Sequence, residues 1–156
     1  MPDQEVVIKK VEPLQVATVR AVVPTYSHVG RLFNELFACL GEQKARPVGP
    51  ALAIYYDKQY KERDADVEAA VPIAEEIVAA GRIKERQLPA VDSMACLVHE
   101  GPYETLHDAY ATLMKWIEAN GYRVAGPNRE VYLSRPSSEC ASAPCITEVQ
   151  MPVEKA

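Results

Sequence analysis

The sequence has no long apolar run and no apolar N-terminal stretch. None of its windows approaches the roughly 18 apolar residues of a transmembrane helix. The first residues are polar and then strand-like, without the apolar region and small-residue cleavage site of a signal peptide. These absences predict a cytoplasmic protein that does not span a membrane.

Basic residues are fewer than acidic ones. Seventeen Lys and Arg stand against 22 Asp and Glu, which gives a net charge of −5, and no Lys/Arg-rich run occurs. Domains that bind nucleic acid usually carry a basic patch or stripe. We therefore expect no direct contact with nucleic acid, whereas an acidic protein is compatible with a cationic ligand.

The sequence also lacks the motifs that hold metals or cofactors. Its three histidines form no His-Glu-x-x-His motif, and no phosphate loop, dinucleotide fingerprint or nucleophile elbow occurs. Cys140 and Cys145 form a Cys-x₄-Cys pair, which would need two more ligands to hold zinc. We expect no metal and no cofactor, and we interpret the four cysteines as thiols, with a 140–145 disulfide as the alternative.

What the sequence does contain is an internal repeat. Apolar residues at helical spacing run from Val29 to Leu40, and again 77 residues later from Leu106 to Ile117. Each stripe runs into a glycine, Gly41 or Gly121, which predicts where the two helices end.

Strand-like segments repeat together with the helices. Extended segments at 16–23 and 94–99 precede the helices, and matched segments follow them at 49–56 with 126–133 and at 67–73 with 147–153. The two halves, about 5–75 and 83–153, therefore each predict strand, helix, strand, strand. Further strand material at 5–11 and 83–88 is expected to lengthen the sheet at each half.

The expected fold is α+β. Since halves of this length bury little surface alone, we predict a single domain over 1–156. Its two repeats would form one antiparallel sheet, with two helices on one face and a ligand groove on the other.

Alternation along the predicted strands assigns side chains to these faces. The apolar sets are expected beneath the helices, which leaves polar and aromatic residues on the open face. These are Tyr55, Glu68, Glu130, Tyr132, Glu148 and Gln150. Tyrosine rings and carboxylates favour an organic cation, although an ordinary solvated sheet face is an equally good interpretation. Tyr103, at a helix start, is a further candidate for a wall of the groove.

Several of these segments resemble the GyrI-like family. They are 98–104 (VHEGPYE), 120–122 (NGY) and 126–133 (GPNREVYL), with 147–153 (TEVQMPV) similar to the closing strand. The family is the effector-binding domain also found behind the DNA-binding domains of AraC-type and MerR-type multidrug regulators. The resemblance implies a two-repeat fold whose groove binds lipophilic, often cationic molecules, with Glu130 in the pocket and Tyr132 beside it.

Three functions follow as expectations. The first is small-molecule or drug binding by a stand-alone member of the family, without a DNA-binding domain of its own. The second is a hydrolase that detoxifies cyclopropane-type electrophiles, with Glu130 as general base and Tyr132 or Tyr55 as proton donor. The third is a protein-interaction module that modulates DNA gyrase, which only the family link supports.

Overall fold

The computed structural model describes residues 5–25, 28–57, 63–101, 105–133 and 146–156. These residues form an α+β fold with two helices and nine antiparallel strands, which confirms the predicted fold class. In chain order the elements are β1 (Val7–Val11), β2 (Leu14–Val23), α1 (Val29–Glu42), β3 (Leu52–Tyr55), β4 (Ala65–Pro72), β5 (Lys84–Leu88), β6 (Val91–Glu100), α2 (Leu106–Ala119), β7 (Tyr122–Val124), β8 (Asn128–Tyr132) and β9 (Ile146–Lys155). Neither of the described helices is both long and apolar enough to cross a membrane.

The chain divides into two compact units. The middle unit is Pro13–Pro89, and the terminal unit combines Met1–Glu12 with Ala90–Ala156. The strand order is β3-β4-β2-β5 in the middle unit and β1-β6-β9-β8 in the terminal unit, where β7 also pairs with β9. Each unit holds one helix. The predicted order of strand, helix, strand, strand is present in both.

The outermost strand of each unit comes from the sequence of the other repeat. β1, which precedes the first repeat, pairs with β6 of the terminal unit, with Ile8 opposite Ala95. β5, which precedes the second repeat, pairs with β2 of the middle unit, with Arg86 opposite Val16. Each half of the sheet therefore gains one outer strand, and that strand comes from the sequence of the other repeat.

Backbone packing follows the repeat closely. The amide of Val48 donates to the carbonyl of Pro72, and the amide of Ala125 donates to that of Pro152. The next residue in each case is a glycine, Gly49 or Gly126, and a Cβ there would lie 3.4 Å from the facing proline ring. The paired Gly-Pro segments are thus matched by close packing against a proline in both units.

The two helices end differently. α2 ends at Ala119, and Gly121 follows with φ +78, the left-handed conformation that glycine tolerates, as predicted. α1 runs past Gly41 to Glu42, so the prediction that Gly41 ends the helix is wrong. Lys44 adopts the left-handed conformation there with φ 56, and the amide of Ala45 donates to the carbonyl of Leu40. The capping geometry therefore forms without glycine.

The apolar stripe of α2 defines one face of the terminal sheet. Leu106, Ala109, Leu113 and Ile117 are buried on this helix. They pack with Ala95, Leu97, Val149, Met151 and Val153 from the sheet. The face that carries these sheet residues is called the helix-bearing face below.

Candidate functional site

Glu130 and Tyr132 lie on the helix-bearing face. The register places Glu130 directly opposite Val149, and residues opposite each other in an antiparallel pair point to the same face. Because Val149 belongs to the core beneath α2, the prediction that Glu130 and Tyr132 lie on the face opposite the helix is wrong. Leu133, predicted beneath the helix, is 48% exposed.

Tyr55 has the corresponding place in the middle unit. It pairs with Val67, and Ala53 pairs with Ala69, the repeat equivalent of Val149. Glu68 pairs with Ile54 and points to the other face. The six residues predicted on one face are therefore divided within each unit: Tyr55 and Glu68 lie on opposite faces of the middle unit, and Glu130 with Tyr132 lies opposite Glu148 with Gln150 in the terminal unit.

The side chain of Glu130 is held by two phenols. The hydroxyl of Tyr110 donates to Oε2 at 2.5 Å, and the hydroxyl of Tyr132 donates to Oε1 at 3.0 Å. Asn128 Nδ2 in turn donates to the Tyr110 hydroxyl oxygen at 2.9 Å. Glu130 and Tyr132 are each 8% exposed, so these hydrogen bonds offset part of the cost of burying a carboxylate. Glu130, Tyr110, Tyr132 and Asn128 are called the carboxylate–phenol cluster.

Sequence reasoning missed Tyr110 and Asn128 as members of this cluster. Tyr110 falls on the apolar stripe of α2, and this position predicts a core residue. It does pack partly against that core, but its hydroxyl reaches the strand residue Glu130. A tyrosine at the margin of an apolar stripe, with an acid on the facing strand, is the signal that could have indicated the contact.

An apolar side chain remains exposed close to the cluster. Met114 lies one helical turn after Tyr110 on α2 and is 45% exposed. Its equivalent in the middle unit, Phe37, is 43% exposed, and its ring stacks on that of Phe33 at 6.5 Å between centroids. Both helices therefore leave a large apolar residue uncovered at the same position of the repeat.

The other face of the middle unit carries a buried ion pair. The side chain of Glu68 is 1% exposed, and Oε2 lies 3.4 Å from Nε of Arg86. Thr18 donates to the same carboxylate oxygen at 2.5 Å, and the Tyr56 hydroxyl donates to Oε1. Burial, together with the hydrogen bond to Glu68, raises the pKa of Tyr56 from 10.0 to about 12. The guanidinium of Arg20 lies 3.6 Å from the centre of the Tyr56 ring.

The terminal unit repeats this ion pair with other residues. Glu148 accepts from Lys9 Nζ at 3.1 Å, and Gln150 Nε2 donates to it at 2.5 Å. Burial and the charge of Glu148 raise the pKa of the neighbouring Cys96 thiol to about 12. Lys9 and Arg86 both stand on the outer strands that extend the other repeat's sheet. Glu68 and Glu148 are thus each paired with a base, and within the terminal unit Glu148 lies on the sheet face opposite Glu130.

Some predicted positions lie outside the described residues. These are Tyr103, Cys140 and Cys145. Within the described ranges, no group of three or more His, Cys, Asp or Glu side chains is arranged to hold a metal ion.

The cluster exists in one unit only. Tyr110, Asn128 and Glu130 have Phe33, Ala51 and Ala53 as their equivalents at the 77-residue offset, whereas Tyr132 has Tyr55. Ala53 is fully buried, so the middle unit fills the same position with a small apolar side chain. The fold therefore forms without a carboxylate at this position.

The chain has clear relatives among known proteins. The family model of the GyrI-like small molecule binding domain matches residues 4–154. The crystal structure of the EcmrR C-terminal domain is 29% identical, with a TM-score of 0.88, over 98% of this chain and 99% of that one. In the cryo-EM structure of an EcmrR–DNA complex, the match covers 58% of the EcmrR chain, so this chain spans little more than half of that protein.

More distant structures share the fold. A hydrolase from Listeria innocua is 14% identical with a TM-score of 0.68, over 98% of this chain and 93% of that one. SAV2435 bound to tetraphenylphosphonium is 12% identical with a TM-score of 0.62, over 96% of this chain and 94% of that one. At these identities the likeness concerns the fold alone. No curated protein matches the chain.

Proposed function

Since the chain belongs to the family of GyrI-like small-molecule-binding domains, we propose that it binds a lipophilic, cationic small molecule at Glu130. The observation that carries this proposal is the carboxylate–phenol cluster, a buried acid held by two phenols in one repeat and replaced by alanine in the other. Tyr110 and Tyr132 would contact the same ligand.

Charge is the first part of the argument. A cation about 4 Å from the Glu130 carboxylate gains about 4 kcal/mol at an effective dielectric near 20, before desolvation costs. A tyrosine ring adds roughly 0.5–2 kcal/mol when the cation lies over its face. The phenol hydroxyls of Tyr110 and Tyr132 hold the carboxylate oxygens in place, which lowers the entropy lost on binding.

Apolar surface is the second part. Met114 lies one helical turn from Tyr110 and is nearly half exposed. Methionine side chains adapt readily to apolar ligands, so Met114 offers the ligand a contact surface. A ligand covering it would gain roughly 25 cal/mol per Å² of apolar surface removed from water. The relative SAV2435 is bound to tetraphenylphosphonium, a cation with an apolar surface. That ligand is therefore a suitable probe for this chain.

Two ions of the same shape and opposite charge test the proposal. Calorimetric titration of the chain with tetraphenylphosphonium should give saturable binding, whereas tetraphenylborate should bind at least tenfold more weakly. Lipophilic surface is matched in the two ions, so the ratio reports charge alone. Equal affinity for both ions would contradict the role of a carboxylate.

The variant Glu130→Gln tests whether this residue causes the preference for the cation over the anion. Removing this charge should weaken tetraphenylphosphonium about ten- to a hundredfold, or about 1.4–2.8 kcal/mol, and reduce the preference over tetraphenylborate. Glu118→Gln is the matched control, because it removes the same charge from an exposed position on α2. Unchanged affinity in Glu130→Gln would move the site elsewhere.

A hydrolase is the second candidate function, and one feature of the cluster favours it. Two phenol hydroxyls stand beside the buried Glu130 carboxylate, which is an arrangement suited to taking a proton from water and donating one to a leaving group. Incubation with a cyclopropane-bearing electrophile, followed by mass spectrometry, should then show a hydrolysed product that Glu130→Gln does not form. Absence of product across a panel of such compounds would leave binding as the function.

A further inference from the structure

Two buried polar atoms close to the carboxylate–phenol cluster have no hydrogen-bond partner among the residues that the structure describes. They are Nδ1 of His99 and Oγ1 of Thr147. The residues are 5% and 1% exposed. Leaving a buried donor or acceptor unsatisfied costs about 1–3 kcal/mol, so each such atom in a native fold calls for an explanation, such as a bound ligand or a water molecule.

Both atoms belong to the face that carries Glu130. His99 pairs with Thr147 across β6 and β9, and Thr147 pairs with Tyr132 across β9 and β8. The three side chains therefore form a row across the helix-bearing face. Glu130 is a diagonal neighbour of Thr147, at a Cα separation of about 7–8 Å.

The imidazole of His99 is held in a defined orientation. Its Nε2 shares a hydrogen bond with Oγ1 of Thr105 at 2.9 Å. Gly101, with φ +142, passes the ring so closely that a Cβ there would lie 3.4 Å from Nε2. With Nε2 occupied, Nδ1 is the ring nitrogen left for another partner.

Comparison with the other repeat shows that the fold does not require polar residues at the positions of His99 and Thr147. The β2–β4 pair that corresponds to His99 and Thr147 is Ala21 opposite Val67, which are both apolar. His99 and Thr147 therefore share the asymmetry of the carboxylate–phenol cluster. Polar groups that one copy of the fold omits are better explained by a ligand than by folding.

We propose that His99 and Thr147 form a hydrogen-bonding subsite for the ligand. The ligand class is then an aromatic cation that also carries a hydroxyl or similar polar substituent, one ring away from its charge. Such a group can donate to one of the two atoms and accept from the other, since a threonine hydroxyl does both. This inference rests on the proposed function and specifies the ligand that the site prefers.

The test compares tetraphenylphosphonium with its (4-hydroxyphenyl)triphenylphosphonium analogue by calorimetry. In the wild-type chain the hydroxyl should tighten binding about three- to tenfold. In Thr147→Val, which introduces the residue that the other repeat carries, the ratio of the two affinities should fall to about one, since the hydroxyl then gives no advantage. Thr147→Ser keeps the hydroxyl group and should restore the advantage.

The outcomes separate this inference from the proposed function. If tetraphenylphosphonium binds but the hydroxyl analogue binds no more tightly in the wild-type chain, a water molecule or nothing occupies the pair, and only the subsite is overturned. An advantage that persists in Thr147→Val overturns it as well. If neither cation binds, the proposed function and the subsite both fail.

Discussion

The helix-bearing face of the terminal unit and the equivalent sheet face of the middle unit have matching strand pairing and different chemistry. In the terminal unit the face carries Tyr110, Asn128, Glu130, Thr147 and His99. At the equivalent positions the middle unit carries Phe33, Ala51, Ala53, Val67 and Ala21. Since one copy folds with apolar residues at every one of these positions, the polar residues of the other copy are not needed for folding.

On the other face of each sheet, both units keep the same polar feature, which indicates a structural role. Each unit keeps a glutamate on its central strand, Glu68 or Glu148, and neutralises it with a base from an exchanged outer strand. A polar feature that both copies retain, with its charge satisfied within the unit, is explained by structure. Comparing the repeats thus separates a polar cluster that serves the fold from one for which we propose a ligand.

The largest expected effect on stability comes from introducing a glutamate into the middle unit at the position equivalent to Glu130. Ala53→Glu places a carboxylate at a fully buried position where Phe33 and Ala51 offer no side-chain donor. We expect a loss of about 3–5 kcal/mol in the free energy of unfolding, measured by urea denaturation, because the middle unit lacks the donor that Tyr110 supplies to the buried carboxylate in the terminal unit. Ala53→Gln is the control for added volume.

Rebuilding the donors sharpens the same comparison. Adding Phe33→Tyr and Ala51→Asn to Ala53→Glu recreates the carboxylate–phenol cluster around Tyr55. This triple variant should recover part of the lost stability, about 1.5–3 kcal/mol, since the phenol introduced by Phe33→Tyr restores one hydrogen bond to the charged carboxylate. A triple variant no more stable than Ala53→Glu alone would show that the two faces differ in more than these side chains.

The two ion pairs on the opposite faces should differ in strength. Glu68→Gln should cost about 2–3 kcal/mol, because its side chain is 1% exposed and holds three partners. Glu148→Gln should cost about 1 kcal/mol or less, because its side chain is 13% exposed and the Lys9 side chain is 45% exposed. Chemical denaturation of both variants measures the difference, and a larger loss at Glu148 would contradict it.

Tyr56, which donates to Glu68, should make the stability of the folded chain depend on pH in the alkaline range. The pKa of Tyr56 is raised to about 12 in the folded chain, whereas an unfolded tyrosine loses its proton near pH 10. Its contribution to stability is therefore complete below pH 10 and is lost as the pH rises from 10 to 12, by roughly 2 kcal/mol. Because Tyr56→Phe removes the titrating hydroxyl, the free energy of unfolding of this variant should change less between pH 10 and pH 12. The terminal unit has Leu133 at the equivalent position. A profile unchanged by Tyr56→Phe would refute the assignment.

Much of the fold could be predicted because the repeat supplies each element twice. The stripes at Val29 and Leu106 predicted both helices, and matched segments predicted the strands that flank them. Gly41 was misassigned because glycine is favourable after a helix but is not required there, and Lys44 takes the left-handed position instead. The exchange of β1 and β5 depends on long-range pairing that local sequence does not express.

Of the four members of the carboxylate–phenol cluster, sequence reasoning named Glu130 and Tyr132 as site candidates and predicted the wrong sheet face for both. Alternation along a strand shows which side chains share a face, but the register with the neighbouring strand decides which face that is. Polar Glu130 and Tyr132 were assigned to the open side, yet the pairing of Glu130 with Val149 turns both toward α2. Tyr110 reaches the carboxylate through tertiary contact, which an apolar stripe does not reveal.

A crystal structure of the chain with tetraphenylphosphonium tests the central claim most directly. We predict the phosphonium centre within about 6 Å of the Glu130 carboxylate, with phenyl rings against Tyr110, Tyr132 and Met114, and no cation beside Glu68 or Glu148. A cation bound on the Glu68 and Glu148 side of the sheets, with the carboxylate–phenol cluster unoccupied, would contradict the account.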